Sequence, residues 1–411
     1  MSQKARLFKD PTARAFLGAQ SLSFSASAAV PVILSFALLD THRSALEVGK
    51  VLAASDLPFV ALLLVGGAIA DRFSRRMVAV SSEFARGIIL VAMALLVARA
   101  HFSVLEIGAL GALWGSARAF FAPTLTGMTP EIFAEDALVS ANSFREGARS
   151  IGNLAGPAFG GVTTALAGPA VALGIVAALY LASGAWLLRM RFIQTKELVS
   201  SSFLHDLKTG YREVRSQAWC WITIVVYSFM HLLVFGPLVV LGPVIAKAHL
   251  GGAATWGVLL AFEGAGGILG AIIASKIKLR RPIWTSSLIV LAGAPAFFLL
   301  ALAAPPIILA PAIAALGLGF AFVGINWETA LQNNFPIEAL SRVSAYDIFG
   351  SVALYPFGQV LGGAATRFVA PATAVMIAGV ALVALSLFLI VNRSIYRLLG
   401  PNSLGESGNW T

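Results

Sequence analysis

Three ionisable side chains stand inside long apolar stretches of the sequence. Asp56 and Glu263 lie near the middle of two such stretches, and Arg118 lies near the centre of a third. Because an unpaired charge is costly in apolar surroundings, each group should face water or a partner of opposite charge. A carboxyl group that is partly removed from water holds its proton more readily, so it could bind and release a proton near neutral pH. The predicted chemistry is proton binding at the two acids, and an ion pair between Arg118 and one of them is the structural alternative.

The composition shows what surrounds these groups. Of the 411 residues, 58% are hydrophobic and 12% are charged, and the mean hydropathy is +0.85. Soluble domains carry about 25% charged and about 45–50% apolar residues, so a water-soluble globular protein is excluded. The single cysteine, Cys220, excludes an intrachain disulfide, and the five histidines show no metal-ligand spacing. We therefore expect neither a metal nor an organic cofactor.

Apolar stretches of this length predict helices that cross a membrane. A hydrocarbon core about 30 Å thick needs about 20 helical residues, and a helix satisfies its own backbone in lipid. The two longest uncharged stretches are interrupted by Gly168-Pro169 and by Pro305-Pro306, so each is interpreted as two spans. The sequence predicts an all-α membrane protein with twelve transmembrane helices. The predicted spans cover 14–39, 46–70, 77–98, 104–125, 140–166, 169–190, 218–246, 255–275, 284–304, 307–330, 343–367 and 371–392.

The basic residues indicate the orientation of the chain. With the N-terminus inside, most of the 29 lysines and arginines fall in cytoplasmic segments, as expected for a membrane protein. Both termini are therefore predicted to be cytoplasmic. The net charge of +10 is explained by this asymmetry, so we expect no nucleic-acid partner.

An internal repeat divides the chain into two halves. The connection 191–217, with apolar residues at helical spacing, separates six spans from six and predicts a cytoplasmic linker with an amphipathic helix, and an ordinary tether is the alternative. The expected domains are a six-helix bundle at 1–190 and a second bundle with the cytoplasmic tail at 218–411. Three glycines of the fifth span recur 202 positions later in the eleventh, and these pairs are Gly156 and Gly358, Gly160 and Gly362, and Gly161 and Gly363. The two bundles are therefore predicted to be pseudo-symmetric.

A short basic loop between spans two and three carries the first motif. It contains Gly67, Asp71, Arg72, Arg75 and Arg76. The arginines can hold the loop at the inner leaflet, and the acid can cap a helix or pair with an arginine. This pattern resembles the signature loop of the major facilitator superfamily. The resemblance implies the twelve-helix fold of that family and a role for the loop as an inner gate contact.

Span five carries the second motif, which consists of Gly152, Gly156, Pro157, Gly160 and Gly161. Small residues at every fourth position form a groove for close helix approach, and the proline permits a bend. Within the superfamily this pattern is similar to the mark of exporters that exchange substrate for protons. A plain packing interface is the alternative explanation.

Six further ionisable residues are candidates for gate ion pairs. Glu83 and Arg86 are one turn apart in span three, and four others stand near the predicted inner ends of their helices, namely Arg145, Glu146, Glu328 and Asp347. Ion pairs at helix ends can form and break as a transporter changes conformation. We interpret these six residues as gate contacts and not as substrate ligands.

Segments 121–130 and 342–347 are similar to the macrolide-efflux and enterobactin-exporter branch of the superfamily. The resemblance implies a drug:proton antiporter of the bacterial inner (plasma) membrane, with a drug-like or secondary-metabolite substrate, a class that includes siderophores. Such a protein would alternate between inward-open and outward-open states as a monomer, driven by the proton motive force. Its partners would be a small amphipathic substrate, protons and the lipid bilayer.

Two other functions remain open from the sequence. A solute importer or symporter would share the fold. A membrane-embedded transferase would need paired Asp-rich motifs or a set of histidine and serine catalytic residues near one leaflet. The histidines, at positions 42, 101, 205, 231 and 249, are scattered and do not form such a set.

Overall fold

A computed structural model of the chain describes residues 11–72, 74–99, 101–133, 135–190, 203–277 and 279–399. All regular secondary structure in these residues is helical. The helices are α1 (Pro11–Asp40), α2 (Ala45–Arg72), α3 (Arg75–Ala98), α4 (Val104–Ile132), α5 (Glu135–Ala167), α6 (Pro169–Arg189), α7 (Phe203–Ser216), α8 (Ala218–Met230), a π-helical turn (His231–Phe235), α9 (Gly236–His249), α10 (Ala253–Lys276), α11 (Pro282–Leu291), α12 (Ala294–Ala301), α13 (Pro306–Asn334), α14 (Ile337–Val352), α15 (Tyr355–Ala365), α16 (Pro371–Val391) and α17 (Arg393–Arg397).

The order of the long helices follows the prediction. Among the described residues, ten helical segments are long and apolar enough to cross a membrane. Two further long helices, α2 with 28 residues and α5 with 33, occupy the second and fifth predicted positions. The protein is therefore an all-α membrane protein whose helices correspond in order to the twelve predicted spans. The helix α7 lies within the connection 191–217, for which the sequence predicts an amphipathic helix.

Three predicted spans are not continuous α-helices. The seventh contains the π-turn His231–Phe235 between α8 and α9. The ninth and eleventh are broken after Leu291 and Val352, each four residues before a proline, Pro295 or Pro356. A proline ring collides with the carbonyl group four residues earlier, so the helix ends there.

The chain divides into two compact units. Unit 1 contains Met1–Ser200 and Ala246–Ala261, and unit 2 contains Ser201–Ile245 and Phe262–Thr411. In unit 1, α1 packs on α5 and α6, whereas α2 packs on α4 and α3 packs on α4 and α6. In unit 2, α11 and α12 pack on α13 and α16, and α15 packs on the π-turn. The predicted domain boundaries at 190 and 218 remain a prediction.

The internal repeat is visible in the packing of each unit. In unit 1, a Cβ atom added at Gly156 of α5 would lie 2.8 Å from the Cβ of Ala28 in α1. In unit 2, a Cβ added at Gly358 of α15 would lie 2.5 Å from the carbonyl oxygen of His231. Repeat-related glycines thus bring span five against span one, and span eleven against span seven.

Candidate functional site

Asp56 and Arg118 form an ion pair between α2 and α4. Arg118 Nη2 lies 2.8 Å from Asp56 Oδ1, and the two side chains are 22% and 16% exposed. The guanidinium also lies 3.8 Å from the centre of the Phe59 ring and 5.1 Å from that of Trp114. A cation over an aromatic face is stabilised by the ring's electrons, so the arginine is held by both charge and stacking. This is the ion pair between Arg118 and one of the two membrane acids that the sequence offers as the structural alternative.

Small residues explain how these two side chains meet. A Cβ atom added at Gly115 of α4 would overlap the carbonyl oxygen of Ser55, and one added at Gly111 would overlap the Ser55 hydroxyl. The hydroxyl of Ser55 donates to the carbonyl oxygen of Val51, 3.1 Å away, and so adds no unpaired donor to this contact. Close backbone approach of this kind is typical of membrane helices with small residues at the interface. It places Asp56, the next residue along α2, opposite Arg118.

Glu263 lies in the part of α10 that belongs to unit 2, and it is partly exposed. Its carboxylate makes no hydrogen bond or ion pair with any residue that the structure describes. A Cβ added at Gly317 of α13 would overlap the Glu263 carbonyl oxygen, as one at Gly115 would overlap that of Ser55. Gly115 and Gly317 are 202 positions apart. The two acids therefore stand at or next to corresponding helix crossings of the two units.

The signature loop is described in part. The side chains of Asp71 and Arg72 lie outside what the structure describes, and Gly67 is described only as part of the backbone of α2. Arg76 Nε donates to the carbonyl oxygen of Leu187 at 3.2 Å, and its Nη2 donates to that of Leu188. This arginine therefore joins the start of α3 to the end of α6.

Arg75 is the first residue of α3, and Ser74 caps that helix. The Ser74 side chain accepts a hydrogen bond from the main-chain N–H of Met77. Such a cap satisfies one of the free N–H groups at a helix start. The inner-gate role of the loop remains a prediction.

The glycine motif of α5 faces two neighbours. Gly152, Gly156 and Gly160 lie against α1, where a Cβ added at Gly160 would be 3.0 Å from the carbonyl oxygen of Ala29. Gly161 faces α10, and a Cβ added there would be 2.9 Å from the Cα of Gly257. The carbonyl oxygen of Pro157 also lies against Gly257. The motif forms the groove for close helix approach, on two sides of one helix.

Arg145 contacts its own unit. Its Nε donates to Gln20 Oε1 at 3.1 Å, and its Nη1 lies 2.9 Å from Thr129 Oγ1 and 3.3 Å from Asn142 Oδ1. These contacts connect α5 with α1 and α4. A gate function of Arg145 stays a prediction.

Asp347 is held by donors of unit 2. Its Oδ2 accepts from Trp327 Nε1 at 2.8 Å, and its Oδ1 accepts from Ser351 Oγ at 3.1 Å. The Trp327 ring packs edge-on against Trp219, with centroids 5.6 Å apart. Sequence reasoning missed the Trp327 contact, because residues 20 positions apart on two helices give no periodic signal.

Glu83 and Arg86 form an ion pair that is buried in unit 1. Glu83 Oε1 lies 2.7 Å from Arg86 Nη2, and the side chains are 0% and 1% exposed. The guanidinium lies 4.2 Å from the Phe121 ring centre and 4.5 Å from that of Tyr180. The predicted pair is present, and its position is deep among α3, α4 and α6.

One further ion pair gave no signal in the sequence. Lys247 Nζ lies 2.6 Å from Asp40 Oδ1, joining the end of α9 to the end of α1 inside unit 1.

Among the described residues, no group of three or more histidine, cysteine, aspartate or glutamate side chains could hold a metal ion.

Comparisons with known proteins indicate the same helical architecture. Residues 15–354 match the family model described as the Major Facilitator Superfamily. No curated protein matches the sequence. The structure is similar to that of the nucleoside transporter NupG, with 15% identity, a TM-score of 0.73, and coverage of 93% of this chain and 98% of that one.

Two other solved structures are similar. A mutant of NupG gives a TM-score of 0.74 at 13% identity, covering 92% of this chain and 98% of that one. A bacterial homologue of the human lysosomal transporter Spinster, in an inward-facing and unoccupied conformation, gives 0.69 at 15% identity, covering 94% and 96%. At these identities the likeness shows the fold alone.

Proposed function

Because the chain belongs to the Major Facilitator Superfamily, we propose that it is a secondary active transporter that exports a drug-like or secondary-metabolite molecule in exchange for protons. It would act as a monomer in the bacterial plasma membrane, with both termini in the cytoplasm. The cargo class includes siderophores. The family and the transporter neighbours indicate a transporter and not the membrane-embedded transferase.

The observation that carries the proposal is the state of the two membrane acids. Glu263 is partly exposed and has no partner among the described residues, whereas Asp56 is paired with Arg118. An acid without a partner inside a membrane helix must be neutral or reach water, so protonation changes its energy strongly. Protonation of Asp56 would remove its attraction to Arg118. Protonation would therefore release the pair at Asp56 and remove the charge at Glu263.

Alternating access then follows from differential affinity. Protons from outside would neutralise Asp56 or Glu263 and favour release of the cargo outward. Loss of those protons to the cytoplasm would restore the inward-open state. Each ligand shifts this equilibrium only as far as its affinity differs between the two states.

The export direction is supported by the glycine motif of α5. Its resemblance to antiporters of the superfamily comes with a physical contact, since Gly161 lies against Gly257 of α10. Two glycines can approach closely in one conformation of the protein. Because neither carries a side chain, they do not hinder the change to another conformation. The resemblance is the basis for choosing export over import.

Transport in proteoliposomes tests the proposal. An outward-directed gradient of an amphipathic fluorescent dye would be followed with and without an imposed pH gradient. We expect the wild type to accelerate dye movement in response to the pH gradient, and Asp56→Asn and Glu263→Gln each to lose that response. Glu213→Gln, on α7 outside the spans, is the matched control and should behave as the wild type. If both membrane variants respond fully, the two acids do not couple protons to transport.

A solute importer or symporter is the second candidate, and the fold similarity to a nucleoside transporter is the observation that favours it. Uptake of tritiated uridine by intact cells discriminates between the two. If the protein imports nucleosides, deletion of its gene should lower the intracellular accumulation of uridine. If the protein is an exporter, deletion should raise the intracellular accumulation of its cargo.

A further inference from the structure

A short helix follows the last span of unit 2 and packs on the ends of its neighbours. The span ends at Val391, and α17 begins after Asn392. The Asn392 side chain accepts hydrogen bonds from the main-chain N–H groups of Ser394 and Ile395, so it caps α17. The helix packs on α8, α11 and α16, and Ile395 is fully buried there. It is therefore a folded part of unit 2.

Arg281 lies beside this helix and is positioned by aromatic rings. It stands directly before Pro282, the first residue of α11, and its guanidinium carbon lies 3.4 Å from the centre of the Tyr396 ring. The Trp284 ring packs edge-on against the same tyrosine, with centroids 5.9 Å apart. Trp284 Nε1 also donates to the carbonyl oxygen of Ile390 at 3.0 Å. Because a cation is attracted to the face of an aromatic ring, these contacts hold the guanidinium in one place.

The guanidinium of Arg281 has donors left for a ligand. The side chain is partly exposed, and its Nε has no hydrogen-bond partner among the described residues. An arginine carries five N–H donors in a planar arrangement that matches two oxygens of a phosphate group. Arg281 is therefore suited to bind an anion of this shape.

The surface around Arg281 is basic. Arg280, Arg393 and Arg397 are exposed. Arg393 shares one face of α17 with Tyr396 and Arg397, because residues three and four positions apart are neighbours on a helix. The helices α8, α11, α16 and α17 contain no aspartate or glutamate. A positive surface without acids on these helices attracts a negatively charged ligand.

Exposed apolar side chains continue from the basic surface along two spans. Leu288 of α11 is 41% exposed, and Phe388 and Val391 of α16 are 49% and 73% exposed. Both helices belong to segments that are long and apolar enough to cross a membrane. Tryptophan and tyrosine at the end of a span are typical of the interface between membrane and water. A ligand with a phosphate group and acyl chains fits both parts of this surface, whereas free phosphate fits the basic part only.

We propose that Arg281, Tyr396 and Arg393 form a binding site of unit 2 for the phosphate group of an anionic glycerophospholipid, whose acyl chains lie against the exposed apolar residues of α11 and α16. The guanidinium of Arg281 holds two phosphate oxygens, and Arg393 and Arg397 add positive charge. The bound lipid stabilises α17 in its packed position. The site is separate from the two membrane acids and does not depend on the direction of transport or on the cargo.

Hydrogen exchange of the full chain in lipid nanodiscs tests this site locally. The protein would be compared in discs of phosphatidylcholine and in discs that also contain phosphatidylglycerol, at the same pH and ionic strength. The peptide covering 389–399 should exchange about tenfold more slowly with phosphatidylglycerol, because charged hydrogen bonds to the headgroup oppose local opening of α17. Equal exchange in the two kinds of disc would overturn the proposal.

Substitutions separate a bound headgroup from general attraction to a negative membrane. Arg281→Gln and Arg393→Gln should each remove the protection, whereas Arg14→Gln, which removes an exposed arginine of α1, should keep it. Each variant loses one positive charge, so total charge does not explain a difference between them. Because Arg393 is exposed, its substitution should leave the melting temperature in phosphatidylcholine discs unchanged. Protection that persists in Arg281→Gln or Arg393→Gln would contradict the site, and so would its loss in Arg14→Gln.

Inorganic phosphate distinguishes the lipid from a free anion. Added to phosphatidylcholine discs, it should leave the exchange of peptide 389–399 unchanged, because it has no acyl chains to cover the apolar residues. Protection by inorganic phosphate alone would contradict the lipid as the ligand. Since no transport is measured, failure of the export proposal leaves these results unaffected.

Discussion

The carboxylate of Asp56 and the guanidinium of Arg118 form a 2.8 Å ion pair across α2 and α4, and both side chains keep some exposure. A fully dry pair would be costly to separate, because each charge would be left without water. Residual exposure lowers that cost. The pair is therefore suited to the proposed cycle, in which a proton reaches the acid while the guanidinium keeps its contacts with Phe59 and Trp114.

The Asp56–Arg118 pair should show measurable coupling in a double-mutant cycle. We expect Asp56→Asn, Arg118→Gln and the double variant to give an interaction energy of about 1–2 kcal/mol in chemical unfolding in detergent. The exposed Asp40–Lys247 pair, at 2.6 Å, is the control, and its cycle should give below about 1 kcal/mol. Equal coupling energies for the two pairs would contradict the role given to partial burial.

The two close helix crossings should not tolerate a methyl group. Gly115→Ala would place a Cβ on the carbonyl oxygen of Ser55, and Gly317→Ala would place one on that of Glu263. Overpacking of this kind costs about 1–3 kcal/mol or more, so both variants should unfold at a lower temperature. Gly174→Ala is the matched control, since a Cβ there meets nothing within 4 Å. Thermal unfolding followed by intrinsic fluorescence provides the measurement, and a normal melting temperature for Gly115→Ala would refute the crossing.

Breaking the buried Glu83–Arg86 pair should be strongly destabilising. Arg86→Met leaves an acid with 0% exposure in the interior, and removal of one partner of a buried pair costs about 3–5 kcal/mol. The double variant Glu83→Leu/Arg86→Met should recover much of that loss, because no charge remains buried. In the more exposed Asp40–Lys247 pair, Lys247→Met should cost less than about 1 kcal/mol. Chemical unfolding distinguishes the cases, and an Arg86→Met loss no larger than that of Lys247→Met would count against the pair.

Asp347 should depend on its tryptophan donor. Trp327→Phe keeps the ring beside Trp219 and removes the 2.8 Å bond to the carboxylate, which should cost about 1.5–3 kcal/mol because the acceptor is charged. Trp284→Phe removes a 3.0 Å bond to the carbonyl oxygen of Ile390 and should cost about 0.5–1.5 kcal/mol. Unfolding free energies of the two variants are compared. The same loss in both would mean that Asp347 is not charged in the folded protein.

The sequence predicted the helices well, because each span must be long and apolar to cross a bilayer. It also indicated the Arg118 pairing and the glycine groove of α5, since a charge or a run of small residues stands out against apolar neighbours. Pro295 and Pro356 explain the breaks after Leu291 and Val352, but a proline alone does not predict a break, since Pro31 and Pro157 lie inside continuous helices.

The π-turn His231–Phe235 is followed directly by Gly236 and Pro237, and a proline cannot donate a main-chain hydrogen bond to the carbonyl group four residues earlier, which here is Leu233. Other features had no local signal. Lys247 and Asp40 are 207 positions apart, so only the folded chain brings them together. The contacts of Arg145 with Gln20 and Thr129 likewise arise from three helices at once.

Counter-movement of protons is the most direct measurement of the exchange mechanism. Proteoliposomes that enclose a pH-sensitive dye would receive a gradient of a transported amphipathic compound with no initial pH difference. We expect cargo movement through the wild type to drive protons the opposite way, and the Asp56→Asn/Glu263→Gln double variant to move none above the level of empty liposomes. Undiminished proton counterflow through the double variant would contradict proton exchange at these two acids.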